Sequence, residues 1–216
     1  MDKESRKIIS GMRGIIPSLH TPFCRDNKVD ISSLQNLIDH TIVSGCAGML
    51  VGAVAGENAS LTLDEKEIII NACVQHNNNR LPLIVSCSAN NQYDRITLSR
   101  AAKVAGADWI LCQTPNNLNG NELIECFNEI ANAGPSNLMI QDLSWTDNGM
   151  NDEDILLLFE NIKKSFDEIK KFIKKIDNTA QIKFLTGTNP FKSNKSNFYL
   201  AELSKSKKLV TKRKAK

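Results

Sequence analysis

Short apolar runs recur along the chain at 14–18, 49–53, 82–87, 108–113 and 138–142, their starts spaced by 35, 33, 26 and 30 residues. Each run is apolar at consecutive positions rather than at alternate ones. Such runs suit strands covered on both faces, as in a parallel sheet. Between them the apolar positions recur at helical spacing. Leu34, Leu37, Ile38 and Ile42 share one face, as do Ile68, Ile69, Ala72 and Cys73. Ile96, Ala101, Ala102 and Ala105 form the next such face, followed by Leu123, Ile124, Phe127 and Ile130.

Local signals mark where these helices begin and end. Asp30 precedes Ser32 and Ser33, Thr62 stands three residues before Glu65 in capping-box spacing, and Asn119-Gly120-Asn121 opens the fourth helix. Gly45, Gly106 and Gly134 fall where helices should stop. One helix per strand predicts a βα-repeat, either a barrel or a doubly wound sheet. The segment from Ile15 to Pro22 holds neither a G-x-G-x-x-G fingerprint nor a P-loop, which favours the barrel.

The pattern changes near residue 150. Ile155, Leu158, Phe159, Ile162, Phe166, Ile169, Phe172, Ile173 and Ile176 keep helical spacing without a break. This predicts one amphipathic helix of roughly 24 residues, started by Asp152 and ended by Asp177-Asn178, with its lysines toward solvent. No sixth strand run is evident. The run at 182–185 reads as a strand ending in Thr186-Gly187-Thr188. The pattern thus gives about six strands, with no eighth. Residues 1–191 are expected to form the barrel-type domain, and 192–216 a basic, disordered tail with one apolar cluster at 198–203.

Composition narrows the class. Of the 216 residues, 41% are hydrophobic, enough for a folded core, and no apolar run reaches the roughly 18 residues of a membrane span. The six cysteines show no C-x-x-C pair and no metal-ligand spacing. Most lie in apolar runs, which predicts free buried thiols and a cytoplasmic location. The formal charge of +3 hides an uneven distribution: 192–216 carries +8, leaving −5 on the rest. A basic tail without interleaved aromatics is expected to be solvated rather than bound to nucleic acid.

Barrel enzymes place their chemistry at the C-terminal ends of strands. Here those ends read His20-Thr21-Pro22, Val54-Ala55-Gly56-Glu57, Ser86–Asn90, Thr114-Pro115-Asn116-Asn117, Gln141-Asp142 and Thr186-Gly187. The order, spacing and wording of "GIIPSLHTPFCRDNKVDISSLQNLIDHTIVSGCAGMLVGAVAGENASLTLDEK", "LPLIVSCSANN" and "AAKVAGADWILCQTP" resemble the dihydrodipicolinate synthase/N-acetylneuraminate lyase family of Schiff-base aldolases. The resemblance runs from about Gly14 to Met150, and more weakly over 182–188. It implies an α/β fold of the (β/α)8 TIM-barrel type, here incomplete and C-terminally truncated.

The resemblance also implies a lyase or aldolase that acts on a 2-keto acid through a lysine imine, with neither cofactor nor metal. The alternative is a non-catalytic remnant or ligand-binding barrel fragment. The imine lysine falls on Lys170 when counted forward from Met150, and on Lys163 when counted back from Thr186-Gly187. Gly56, Glu57, Gln141 and Asp142 are the implied substrate-binding residues. Val54 and Ala55 stand where the family carries two threonines, and Asn116-Asn117 where it carries a tyrosine pair. Gln141 replaces a further tyrosine, although a divergent branch of the family also has Gln-Asp there. Family membership further implies a homo-oligomer with a small-molecule substrate and no membrane partner. Of the remaining candidates, His20 is read as a pocket or loop histidine, and His40 and His76 as surface residues on helices.

Overall fold

The computed structural model describes residues 14–143, 149–161, 185–188 and 197–200. The chain divides into two compact units, Met1–Gly149 and Met150–Lys216. In the first, helix α1 (Ile31–Val43) leads to strand β1 (Met49–Val51), α2 (Leu63–Asn77) to β2 (Leu83–Ser86), α3 (Gln92–Ala105) to β3 (Trp109–Gln113) and α4 (Gly120–Ala133) to β4 (Leu138–Gln141). The four strands pair in parallel in the order β1-β2-β3-β4. Register runs Val51↔Val85, Val85↔Ile110 and Leu111↔Met139.

That order separates the two architectures left open by the βα-repeat. A doubly wound sheet reverses its strand order at a switch point and carries helices on both faces. Here each strand neighbours the next in sequence, and α1 packs on α2, α2 on α3 and α3 on α4. The result is a singly wound βα wall of the barrel type, as expected. Each strand is covered by its neighbours' helices. β2 is therefore buried at every position, which explains why its sequence does not alternate.

The expected first strand contributes only one bridge, Ser18↔Leu50. Residues 15–19 do run alongside β1, since Ala47 N–H donates to the Ile15 carbonyl, Leu50 N–H to that of Pro17, and Leu19 N–H to that of Leu50. Pro17 has no N–H to give back, so the ladder is interrupted in the middle of the run. The helix faces also shift in places. Leu34 and Ile38 are buried as predicted, and so are Leu123, Ile124, Phe127 and Ile130. Ile68 is instead exposed while Ile69, Ile70 and Cys73 are buried. On α3 the inward face consists of Arg95, Leu98, Ser99 and Ala102.

Helix starts follow the sequence signals closely. The Asp30 carboxylate accepts from Ser33 N–H at 3.0 Å. At α2, Glu65 N–H donates to Thr62 Oγ1 at 3.3 Å while Thr62 N–H donates back to Glu65 Oε2 at 2.8 Å, a complete capping box. Asn119 takes the N-cap of α4 without a side-chain bond, and Asn91, which the pattern did not single out, caps α3 through Asp94 N–H. Residues 152–161 are helical, and Asn151 rather than Asp152 caps them, accepting from Asp154 N–H at 2.8 Å. An Asn one residue earlier meets the third helical N–H, which Asp152, already inside the helix, cannot reach. The rest of the predicted long helix lies outside the described residues.

Within the second unit, Leu185–Thr188 and Asn197–Leu200 pair antiparallel. The strand expected over 182–185 is thus described from Leu185 through the Thr186-Gly187-Thr188 stretch that was expected to end it. Four residues of the expected tail are in a strand, and the remainder of 192–216 lies outside the described residues.

Polar side chains pin the strand entrances. Asn77 exchanges two hydrogen bonds with the Leu81 backbone, Leu83 N–H donates to Asp108 Oδ2, and Asn137 Nδ2 donates to the Asp108 carbonyl. Between α1 and α2, Asp39 sits 3.0 Å from His76 Nε2 and 2.7 Å from Arg80 Nη2. His76 is therefore partly buried in a helix–helix contact rather than free on the surface; His40 is exposed as expected. All six cysteines are free, and four of them are buried.

Thr62→Ala is expected to cost about 1 kcal/mol, while Asn119→Ala costs less than about 0.5 kcal/mol; urea midpoints compare the two. The bonds from Thr62 hold the Glu65 carboxyl below its ordinary 4.5. Its stabilisation is therefore full above that value and lost as pH falls through the lowered native one. The deficit of Glu65→Ala against the parent should be largest near neutral pH and fade in acid.

Candidate active site

Parallel strands in register bring their C-terminal ends to one edge, so residues far apart in sequence meet there. Successive side chains on each strand alternate between the helix layer and the opposite, inner face. Cys87 and Cys112 face the helices, where they meet Ser99 and Arg95 of α3. Ser86, Ser88, Gln113 and Gln141 consequently face inward.

The inner polar edge is hydrogen-bonded throughout. Ser86 Oγ lies 3.1 Å from Ser88 Oγ, and Ser88 Oγ accepts Gln113 N–H at 3.0 Å. Gln113 Nε2 donates to Gln141 Oε1 at 3.3 Å, and Thr114 Oγ1 to Asp142 Oδ1 at 3.3 Å. Two predicted site residues, Gln141 and Asp142, thus sit side by side with Thr114, named among the strand ends without a role, and with Gln113, which the sequence reading did not single out. Their signal was available: Gln113-Thr114 ends an apolar run just as Gln141-Asp142 does, and the register places the two pairs opposite one another. Ser18, at the end of the first extended run, keeps a buried Oγ with no hydrogen-bond partner among the described residues.

Gly56 and Glu57 have different positions from this edge. After β1 the chain makes two successive 3-10 turns, Val54–Gly56 and Asn58–Ser60, joined at Glu57. Glu57 has φ 58° and its backbone serves both turns, while its side chain is exposed. Its described role is that of a hinge in the backbone, in keeping with a loop brace. Gly56 is buried against the first loop, where its carbonyl accepts Thr21 Oγ1–H at 2.7 Å. A Cβ there would stand 3.0 Å from the Leu19 carbonyl oxygen and 3.4 Å from Thr21 Oγ1. Glycine is required for that close approach. His20 is exposed, and so are Val54 and Ala55, which replace the expected threonines.

A second brace holds the same loop. Asn58 Nδ2 donates to the Gly52 carbonyl at 2.6 Å, and Lys66 Nζ donates to Asn58 Oδ1 at 3.3 Å. Burial pushes the Lys66 ammonium below its usual range, with the charge of Asp94 opposing. Val51, Gly52, Asn58, Leu61, Lys66 and Ile70 line a cavity of about 10 Å³, room for a single water. Lys66 therefore serves to hold the loop, and the cavity is too small for a substrate. Lys163 and Lys170, the two predicted imine lysines, lie outside the described residues. Among the described residues no group of three or more His, Cys, Asp or Glu is arranged to hold a metal ion, and no helix is long and apolar enough to cross a membrane.

Comparison with known proteins agrees with the geometry. The model of the dihydrodipicolinate synthetase family matches residues 11–191. A 4-hydroxy-tetrahydrodipicolinate synthase from Neisseria meningitidis serogroup C is 33% identical over 152 residues, covering 69% of this chain and 52% of that protein. The chain spans about half the length of the curated relatives it matches. Among solved structures, a prophage protein of the dihydrodipicolinic acid synthase family from E. coli K12, in complex with pyruvate, is 28% identical with a TM-score of 0.59, covering 64% of this chain and 47% of that one. The protein CdNal from Clostridium difficile, in complex with mannosamine, is 27% identical with a TM-score of 0.65, covering 70% and 54%.

Gly56→Ala is expected to cost about 2 kcal/mol by pushing the first loop off the second. Thr21→Val, which leaves the Gly56 carbonyl without its donor, should cost about 1–2 kcal/mol. Because both disrupt one contact, the double variant should lose less than their combined effect, measured by urea denaturation.

Proposed function

Because its residues 11–191 match that family's model, the chain belongs to the dihydrodipicolinate synthetase family, and on that premise we propose that it is a divergent Schiff-base lyase acting on a 2-keto acid. The observation that carries this reading is the polar cluster at the strand ends, where the Gln113–Gln141 pair of the inner face is followed one residue later by the Thr114–Asp142 pair. Barrel enzymes place substrates at that edge. The E. coli relative binding pyruvate supports a keto acid as the carbonyl partner.

The chemistry proceeds through a lysine amine, Lys170 in the first place and Lys163 in the second. The unprotonated amine attacks the substrate's keto carbon, water leaves, and the protonated imine accepts the electron pair of the bond broken beside it. Run in the opposite direction, the same intermediate forms a carbon–carbon bond. Hydrolysis of the imine returns the amine and releases the keto acid. For this the lysine must be desolvated, so that its amine is unprotonated near neutral pH.

The remaining roles follow from residue chemistry. Val54 and Ala55 offer no hydroxyl, so the 54–57 turn has no side-chain donor for a substrate carboxylate. Recognition rests instead on the Gln113 and Gln141 amides, which donate and accept at once and suit a hydroxylated or carbonyl-bearing substrate. Asp142 is placed to hold a substrate hydroxyl or take its proton. Gly56 and Glu57 shape the loop between β1 and α2. We also propose a homo-oligomer, as the family resemblance implies.

The test is reductive trapping. Full-length protein incubated with a panel of 2-keto acids and borohydride is expected to gain one covalent adduct, mapped by peptide mass spectrometry to Lys170. The Lys170→Ala variant should lose it. Adduct on Lys163 supports the same chemistry with the other lysine. Saturable binding of a keto acid by cooperatively folded protein, with no adduct on any lysine, overturns the enzyme reading in favour of a ligand-binding barrel fragment.

A further inference from the structure

On the helix side of the sheet, opposite the inner polar edge, lies a buried group that the proposed lyase chemistry does not use. The parallel register that pairs Ser86 with Leu111 continues to Cys87 and Cys112, and Cys87 N–H donates to the Leu111 carbonyl at 2.8 Å. Both thiols are 0% exposed; the Cys87 thiol donates to the Leu111 carbonyl at 3.4 Å and the Cys112 thiol to the Gln113 carbonyl at 3.2 Å. Neighbouring strands stand about 4.8 Å apart, which lies inside the Cα separation of roughly 4.4–6.8 Å that a disulfide bridges. Two cysteines opposite one another on the same face therefore meet the distance requirement without movement of the strands.

The second observation is a charge. Arg95 is 7% exposed, and its described hydrogen bond is a long one from Nη1 to Gln92 Oε1 at 3.5 Å. No carboxylate among the described residues lies within ion-pair distance of it. A guanidinium cannot shed its proton, so burying one without a counter-charge is costly. Its charge acts on three cysteines, Cys87, Cys112 and Cys126. Thiols thus lie within reach of this buried cation, and the Glu129 carboxylate is joined to it only through the Gln92 amide.

The pair is also differentiated. The neighbouring Cys112 and Ser99 side chains and the Arg95 charge lower the Cys87 thiol from its ordinary value, while Cys87 and burial push Cys112 up. Cys87 is therefore the sulfur assigned the attacking role in thiol–peroxide chemistry.

We propose that Cys87 and Cys112 form a peroxide-reactive dithiol, with Arg95 as the counter-ion of the reacting sulfur. The Cys87 thiolate attacks one oxygen of hydrogen peroxide, the O–O bond breaks, and the departing oxygen leaves as water after taking a proton. Cys87 becomes a sulfenic acid. Cys112 sulfur then attacks Cys87 sulfur, the S–O bond breaks, and the hydroxyl leaves as a second water with the Cys112 proton. Two thiols and one peroxide give one disulfide and two waters. Hydrogen peroxide is little larger than water, which suits a buried site; larger thiol reagents should react with exposed Cys24 instead. The bridge would lock the ends of β2 and β3 one residue before Ser88 and Gln113.

Full-length reduced protein is treated with hydrogen peroxide, alkylated and digested. Expected is a single intramolecular crosslink between the Cys87 and Cys112 peptides, reversed by dithiothreitol, with loss of two titratable thiols. In the Cys112→Ser variant the crosslink should vanish and Cys87 should become labelled by dimedone when the peroxide-treated protein is unfolded in its presence, while Cys126→Ser should leave the crosslink unchanged. Recovery of both peptides as free thiols, while Cys24 is oxidised, overturns the proposal. So does a bridge from Cys87 to Cys126.

Discussion

Parallel pairing of β1 to β4 in sequence order is the constraint on which everything else in the first unit depends. Backbone donors and acceptors of each inner strand are met by the strands on either side, and only a fixed register meets them all. Fixed register fixes parity, and parity sends alternate residues to opposite faces. The same ladder therefore puts Ser88, Gln113 and Gln141 on one face and Cys87 and Cys112 on the other. A shift of one residue would place amides under the helices and thiols at the strand-end site.

The loop after β1 shows how the ends of that ladder are shaped. Two braces hold it: Gly56 under Thr21, and Asn58 between the Gly52 carbonyl and Lys66. Neither brace depends on the side chains of Val54 and Ala55, which are exposed.

Several readings were legible because they depend on local physics. A Ser, Thr, Asp or Asn before a helical run caps it wherever the rest of the chain goes, so Asp30 and Thr62 were identifiable from spacing alone. Others failed because a neighbour decides them. Ile68 is as apolar as Ile69, but only one faces the sheet. His76 looked like a surface histidine until α1 brought Asp39 beside it. Arg95 carries a charge in the first turn of α3, and no rule of composition would have buried it.

The sequence by itself determined the βα-repeat, the strand runs from β1 to β4, most helix ends and the family, since each is written in residues close together along the chain. It also marked Gln141 and Asp142, because strand ends are visible where apolar runs stop. Tertiary structure alone decided the strand order, and with it the choice of a singly wound wall over a doubly wound sheet. It alone joined Gln113 to Gln141, Gly56 to Thr21, and Cys87 to Cys112 beside Arg95. These pairs are separated by 25 to 35 residues, and only the register of backbone hydrogen bonds brings them together.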